Sequence, residues 1–222
     1  VLVTRGRSVI DYRIVAANPR HFREGLVSDA PRVAGLLQEA VQTMQGRHRR
    51  VIGAVPGYQT NLRRLDLPNV KSMDPKVIIP QEARRNLGIS PENSYLTWHR
   101  LSAGADMARW LVISATNRSI SSLLATVQGA GLGLVVMDLR PFALARAINQ
   151  PDSICAWTAP DGCDAAIIRD WVPITHQTSY WGAGSTLEAA DLVNRVTEVV
   201  ESTIVAHDMQ NPEMSVPHDV PL

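Results

Sequence analysis

The stretch from Gly129 to Ala147 constrains the fold of this chain more than any other. Gly129, Gly131 and Gly133 close a helical pattern. Leu134, Val135, Val136 and Met137 then follow without alternation, as in a strand buried within a sheet. The run closes on Asp138. Pro141 stands where a new helix opens, because a first-turn residue has no intrahelical use for the N–H that proline lacks. Helix, buried strand and helix in immediate succession require an α/β architecture with mixed sheets.

At 222 residues the chain can bury a proper core, as one large domain or two small ones. Lys+Arg (22) and Asp+Glu (21) nearly cancel, so no nucleic-acid or strongly acidic partner is indicated. Lys71 and Lys76 are the only lysines; the arginine bias is a matter of composition rather than of phosphate binding. No apolar run reaches the roughly 18–20 residues of a membrane span, and no signal-peptide pattern is visible. Cys155 and Cys163 flank a turn signal at Pro160-Asp161-Gly162. A hairpin there pairs position 155 with about position 167, which predicts two buried free thiols suited to a reducing compartment.

Along the chain, residues 1–5 and 8–16 read as strands joined at Arg5-Gly6-Arg7. Ser28-Asp29 and Pro31 open a helix with an apolar stripe of Val33, Leu36, Leu37, Ala40, Val41 and Met44, ended by Gly46. Residues 51–55 read as a strand buried on both faces. Thr60 to Leu67 is a strand with interleaved arginines. Asp74-Pro75 opens a helix to Asn86, either kinked at Pro80 or begun near Ile79. Tyr95–Leu101 and Arg109–Thr116 are strands, and Asn117 caps a helix with Ile120, Leu123, Leu124 and Val127 on its apolar face. These make a small β-α-β-β-α unit. Strands at about 153–159, 164–169 and 172–178 follow, and Gly182-Ala183-Gly184 leads into a helix from Ser185 to about His207. That helix carries Leu192, Val193, Val196, Val199, Val200 and Ile204. The tail ends on Asp219-Val220-Pro221-Leu222, like the opening of another strand.

Val51-Ile52-Gly53-Ala54-Val55-Pro56-Gly57-Tyr58, with Leu65-Asp66-Leu67-Pro68 and the Gly129–Ala147 stretch, resembles the PilM family of type IV pilus assembly, whose relatives include FtsA. Arg169-Asp170-Trp171-Val172-Pro173-Ile174 stands where the family reads like R-D-G-V-P-L, and Gly182-Ala183-Gly184 where it has a Gly-Gly turn. The resemblance covers most of residues 8–207. It implies an actin-like core of two ribonuclease-H-like halves. The first half would be 1–56 plus 132–150, the inserted subdomain 57–131, and the incomplete second half 151–222. The opening strand and the end of the second lobe would lie outside this chain.

The resemblance further implies a cytoplasmic adaptor, peripheral to the inner membrane, that binds the short N-terminal segment of a PilN-type bitopic protein. The family's groove maps onto Leu36, Leu37 and Ala40 of the first helix and onto Arg63, Arg64 and Leu65 of the insert. Self-association, as in FtsA-like relatives, stays open. Actin-like ATPases hold phosphates between two hairpins, each presenting an acid and glycines. Here the first hairpin would precede Val1. In the second, Trp157 or Thr158 stands at the acid's place, and Ala159 or Pro160 at the glycine's. No cofactor is therefore expected for this chain, and ATP hydrolysis is disfavoured, as is a sugar-kinase-like activity. The alternative is a nucleotide switch that binds ATP with Mg in a longer protein. Asp161, Gly162, Gly182 and Gly184 would then touch the phosphates, although Asp161-Gly162 also reads as an ordinary turn and Gly182-Ala183-Gly184 as a family turn.

His21, His48, His99, His176, His207 and His218 are scattered and form no metal pattern, and no nucleophile elbow of the Gly-x-Ser-x-Gly type is present. The basic run Arg47, His48, Arg49 and Arg50 suits the negative end of a helix dipole, or alternatively an anionic lipid. Trp157, Trp171 and Trp181 are expected mostly in core or interlobe packing.

Overall fold

The computed structural model describes residues 2–5, 8–23, 26–45, 49–55, 57, 60–70, 73–159, 162–182 and 188–214. The chain opens with two antiparallel strands, β1 (Leu2–Arg5) and β2 (Ser8–Tyr12), the second shorter than its apolar pattern suggested. A two-residue hairpin, β3 (Phe22–Arg23) and β4 (Leu26–Val27), precedes α1 (Ala30–Gln42). Asp29 caps α1 as expected, its carboxylate accepting the Arg32 N–H at 3.2 Å.

The Gly129–Ala147 stretch folds as its pattern requires. Strand β5 (Arg50–Val55) pairs in parallel with β9 (Gly133–Leu139), and α4 (Arg140–Ile148) follows directly with proline in its first turn. The strand-ending Asp138 is held by Arg146 of α4. Beneath the parallel pair lies α3 (Asn117–Gly129), which also packs on α1. Ala34, Val127, Ala130 and Leu132 form the buried centre, joined by Leu37, Val41, Val51, Leu123 and Leu134. Gly129 lets the helices approach closely, since a Cβ there would stand 3.1 Å from that of Ala34.

The sequence overstates the burial of this pair. Helix α3 covers one face, while the other leaves Ile52 68% exposed and Val135 and Val136 nearly half exposed. Among the described residues the sheet here has two strands, so the run of apolar residues is sandwiched on one side alone. The cap of α3 is Thr116 rather than Asn117. The Thr116 hydroxyl accepts from Ser119 N at 3.2 Å, and Asn117 donates sideways to the Glu92 carbonyl.

Between β5 and α3 the expected β-α-β-β order appears as β6 (Thr60–Pro68), α2 (Pro75–Leu87), β7 (Ser94–Ala103) and β8 (Met107–Thr116), with sheet order β6-β8-β7. Alternation assigns the two faces of β6 different tasks. Leu65 and Leu67 pack with Val112 against Ile79, Ala83 and Ile89. Thr60, Leu62, Arg64 and Asp66 point the other way. Helix α2 runs through Pro80 without the expected late start, because Asp74 caps it at Pro75. The carbonyl that Pro80 leaves without its helical donor is that of Lys76, an exposed first-turn residue open to water. Gly88, at φ 65°, ends the helix.

Strands β10 (Ser153–Ala159), β11 (Gly162–Arg169) and β12 (Val172–Tyr180) form an antiparallel meander with β11 in the middle. Cys155 lies opposite Ala166 and Cys163 opposite Thr158, so both thiols are free and buried, as the spacing required. One face of β11 presents Cys163, Ala165 and Ile167 to α5 (Ala189–Gln210), through Val196, Val199, Val200 and Ile204. The other presents Ala166 and Ile168 to Ala145 and Leu144 of α4. Val193 departs from the expected apolar face and is 63% exposed, in an opening stretch of α5 where Leu192 alone among residues 189–195 is half-buried.

The β11–β12 turn places Asp170 (φ 49°) and Trp171 (φ 69°) in left-handed backbone, Trp171 donating its N–H to the Pro151 carbonyl at 3.0 Å. Trp171 is 52% exposed, against the expectation of packing, whereas Trp181 joins the α5 cluster. Gly46 and the tail from Ser215 lie outside the described residues. Among the described residues no helix is long and apolar enough to cross a membrane.

Ile79 is fully buried where α2 meets its sheet. Ile79→Ala is expected to lower the unfolding free energy by about 2–4 kcal/mol, read from urea midpoints. A change within a few tenths would mean that α2 is loosely docked.

Candidate functional site

Where α4 leaves the parallel pair, it meets the meander around a buried carboxylate. Asp164 is 1% exposed, the one acid in a strand β11 that is otherwise small or apolar up to its closing Arg169. It lies on the α4 face of β11, so the first residue of α4 can reach it. Arg140 Nη1 donates to its Oδ2 at 2.5 Å, and the Thr178 hydroxyl on β12 donates to Oδ1 at 2.6 Å. The Arg140 guanidinium also lies over the Trp157 ring, 4.4 Å from its centroid. Charge pairing, a hydroxyl donor and an aromatic face together make a buried carboxylate tolerable.

Gly57, just beyond β5, seats in this socket. A Cβ at Gly57 would lie 2.4 Å from Asp164 Oδ1 and 2.5 Å from Thr178 Oγ1. Its carbonyl is doubly satisfied, by the Thr60 hydroxyl at 2.8 Å and by Nε2 of His176 on β12 at 3.0 Å. A carbonyl can only accept, so Nε2 carries the proton, and the buried Nδ1 finds no partner among the described residues. Burial pushes the His176 pKa below its ordinary 6.5, as does Arg63, against the opposing pull of Gly57 and Asp164. Burial, reinforced by Asp164, pushes the neighbouring Cys163 thiol up to about 11, which leaves it inert at neutral pH.

A second polar cluster lies on the free face of β6. Arg64 donates to Asp66 at 2.9 Å, to Asn211 at 2.9 Å and to Glu213 at 2.5 Å, and Arg109 of β8 joins Asp66 and Glu213. These contacts moor the inserted sheet to the end of α5. A cleft of about 170 Å³ opens between β4, β5 and α3, lined by Leu26, Val27, Ala54, Val55, Ser119, Ser122 and Leu123.

The residues expected from the sequence fall as follows. Asp161 and Gly184 lie outside the described residues. Gly162 is a buried strand residue, where a Cβ would meet the Ser179 carbonyl at 2.6 Å, so strand pairing alone requires a glycine there. Gly182 has φ 92° just after β12, again a backbone requirement. Of the groove residues, Ala40 and Leu65 are buried, in separate parts of the core. Leu36 and Leu37 are half-buried on α1. Arg63 is half-buried with its guanidinium on the Leu62 carbonyl, and Arg64 serves the mooring cluster. Asp164, Arg140 and His176 were not singled out by sequence. The available signal was one acid inside the run Gly162–Ile168.

No protein-family model matches this sequence, and no curated protein matches it. Solved structures do. The PilM–PilN type IV pilus biogenesis complex matches with a TM-score of 0.63 at 21% identity, over 89% of this chain and 65% of that one. The cytoplasmic domain of EpsL, an inner-membrane component of the type II secretion system of Vibrio cholerae, matches at 0.48 and 16% identity, over 66% of this chain and 56% of that one. The ethanolamine utilization protein EutJ from Carboxydothermus hydrogenoformans matches at 0.45 and 13% identity, over 90% of this chain and 62% of that one. The chain thus shares the actin-like α/β fold of its PilM neighbour, and it spans less than two thirds of that protein's length.

Two outcomes follow for the socket. Arg140→Met strands the Asp164 carboxylate and is expected to cost about 3 kcal/mol of stability, again by urea unfolding. A cost under about 1 kcal/mol would mean that water solvates the carboxylate. The His176 effect has a definite sign. The unfolded imidazole takes a proton below about 6.5 and the folded one only at lower pH, so the unfolded state binds more protons in that window. Stability should be full above pH 6.5 and fall as pH drops below it. His176→Gln should flatten the urea midpoint between pH 7.5 and 5.5; an unchanged slope would place the titration elsewhere.

Proposed function

We propose that this chain is a cytoplasmic, actin-like platform of a type IV pilus or related secretion assembly, peripheral to the inner membrane. It works by holding a short extended segment of a PilN-type membrane protein. The supporting observation is the fold shared with PilM of the PilM–PilN complex across 89% of this chain.

The cleft between β4, β5 and α3 is the seat we assign to that segment. It is mostly apolar, with Ser119 and Ser122 among its lining residues, and fits one large apolar anchor. Val55 and Ala54 bring the edge of β5 to it, and an edge strand offers backbone hydrogen bonds to an extended peptide. This seat replaces the groove implied by resemblance, since Ala40 and Leu65 are buried in the core. Of the six earlier residues, Leu37 stays connected to it, by packing in the Leu123 cluster. A catalytic role finds less support, because the Asp164 carboxylate is already engaged by Arg140 and Thr178.

Calorimetric titration tests this reading. The chain is titrated with the N-terminal peptide of the PilN-type protein and, separately, with Mg-ATP. Peptide binding is expected, weakened about tenfold or more by Ser122→Arg with the circular dichroism unchanged. Mg-ATP binding without peptide binding would replace the platform with a nucleotide switch.

A further inference from the structure

We infer that the Gly57 seat is a built-in clasp that sets the angle between the two halves of the molecule without any bound ligand. The chain enters the seam just beyond β5 as bare backbone, because Gly57 has no side chain to keep Asp164 and Thr178 at ordinary contact distance. The meander supplies the groups that face Gly57: Asp164 from the centre of β11, and Thr178 and His176 from β12. Both hydrogen bonds to the Gly57 carbonyl have ordinary lengths, and one crosses the seam from His176. Thr60, at the start of β6, is held by the same carbonyl and lies 3.3 Å from His176 Nε2, so the inserted sheet is positioned by the clasp as well.

The socket is rigid because Asp164 is fixed from two directions, by Arg140 and by Thr178, with Trp157 backing the guanidinium. Small shifts cannot be absorbed gradually at such a seam. Either glycine sits against the carboxylate or the halves separate, which is how packed interfaces become two-state elements. This inference does not depend on which partner the chain binds.

Spin labels test it on the full chain. They are placed by Glu39→Cys on α1 and Glu198→Cys on α5, both exposed, with the native thiols buried. The wild-type background should give one narrow distance distribution, unchanged by Mg-ATP. Gly57→Ala should shift or broaden it by several ångströms. Should that variant fail to fold, His176→Leu, which removes the cross-seam donor without adding bulk at Gly57, should broaden it instead. A wild-type distribution in these variants would overturn the clasp. So would a wild-type distance that moves on adding Mg-ATP, since a ligand would then set the angle. Neither result bears on peptide titration, so the two proposals fail separately.

Discussion

A carboxylate with almost no access to water sits in the central strand of the meander, and much of the structure around it serves to make that position bearable. Burying a charge costs several kcal/mol unless it is paired and hydrogen-bonded. Asp164 is given a guanidinium from the first residue of α4 and a hydroxyl from the neighbouring strand, and Gly57 approaches so closely that a Cβ there would clash with it. Each demand explains a local choice. The helix begins with Arg140 at the strand exit, β12 carries Thr178 opposite Asp164, and no residue but glycine fits at position 57. Trp157, directly opposite Asp164 on the paired strand, lies against the Arg140 guanidinium.

The same logic ties the inserted sheet to the rest. One face of β6 builds the insert's own core with α2. The other face turns Thr60 to the seam and Arg64 and Asp66 to the end of α5. The arginine–carboxylate pairs of that mooring are partly exposed, so each adds little stability. Their service is geometric, because five charged or amide groups from three segments must register together. Such registration suits the platform role proposed above, in which a preformed groove receives a flexible segment that orders on binding.

Much of the fold was legible in the sequence because it rests on local chemistry. The Gly129–Ala147 punctuation, the Asp29 and Asp74 caps and the three strands after Pro151 each follow from short-range rules, and the structure obeys them. Tertiary facts were not legible. Periodicity placed Val193 on a buried face but could not show that the opening turns of α5 are exposed. The apolar run of β5 could not show that one of its faces is open. Thr116 and Asn117 are both competent caps, and only the backbone angle decides that the threonine hydroxyl faces Ser119. The site was least visible. An acid was sought at the hairpin around Trp157 and Thr158, whereas the acid that matters lies on β11 directly opposite Trp157, joined to it only by strand pairing.

The structure of the chain with the PilN-type N-terminal peptide bound would test the account most directly. The prediction is an extended segment along β5, with an apolar side chain between Val27, Val55 and Leu123 and with Gly57 still against Asp164. A segment lying instead in the seam, with the Arg140–Asp164 pair broken to admit it, would contradict the account.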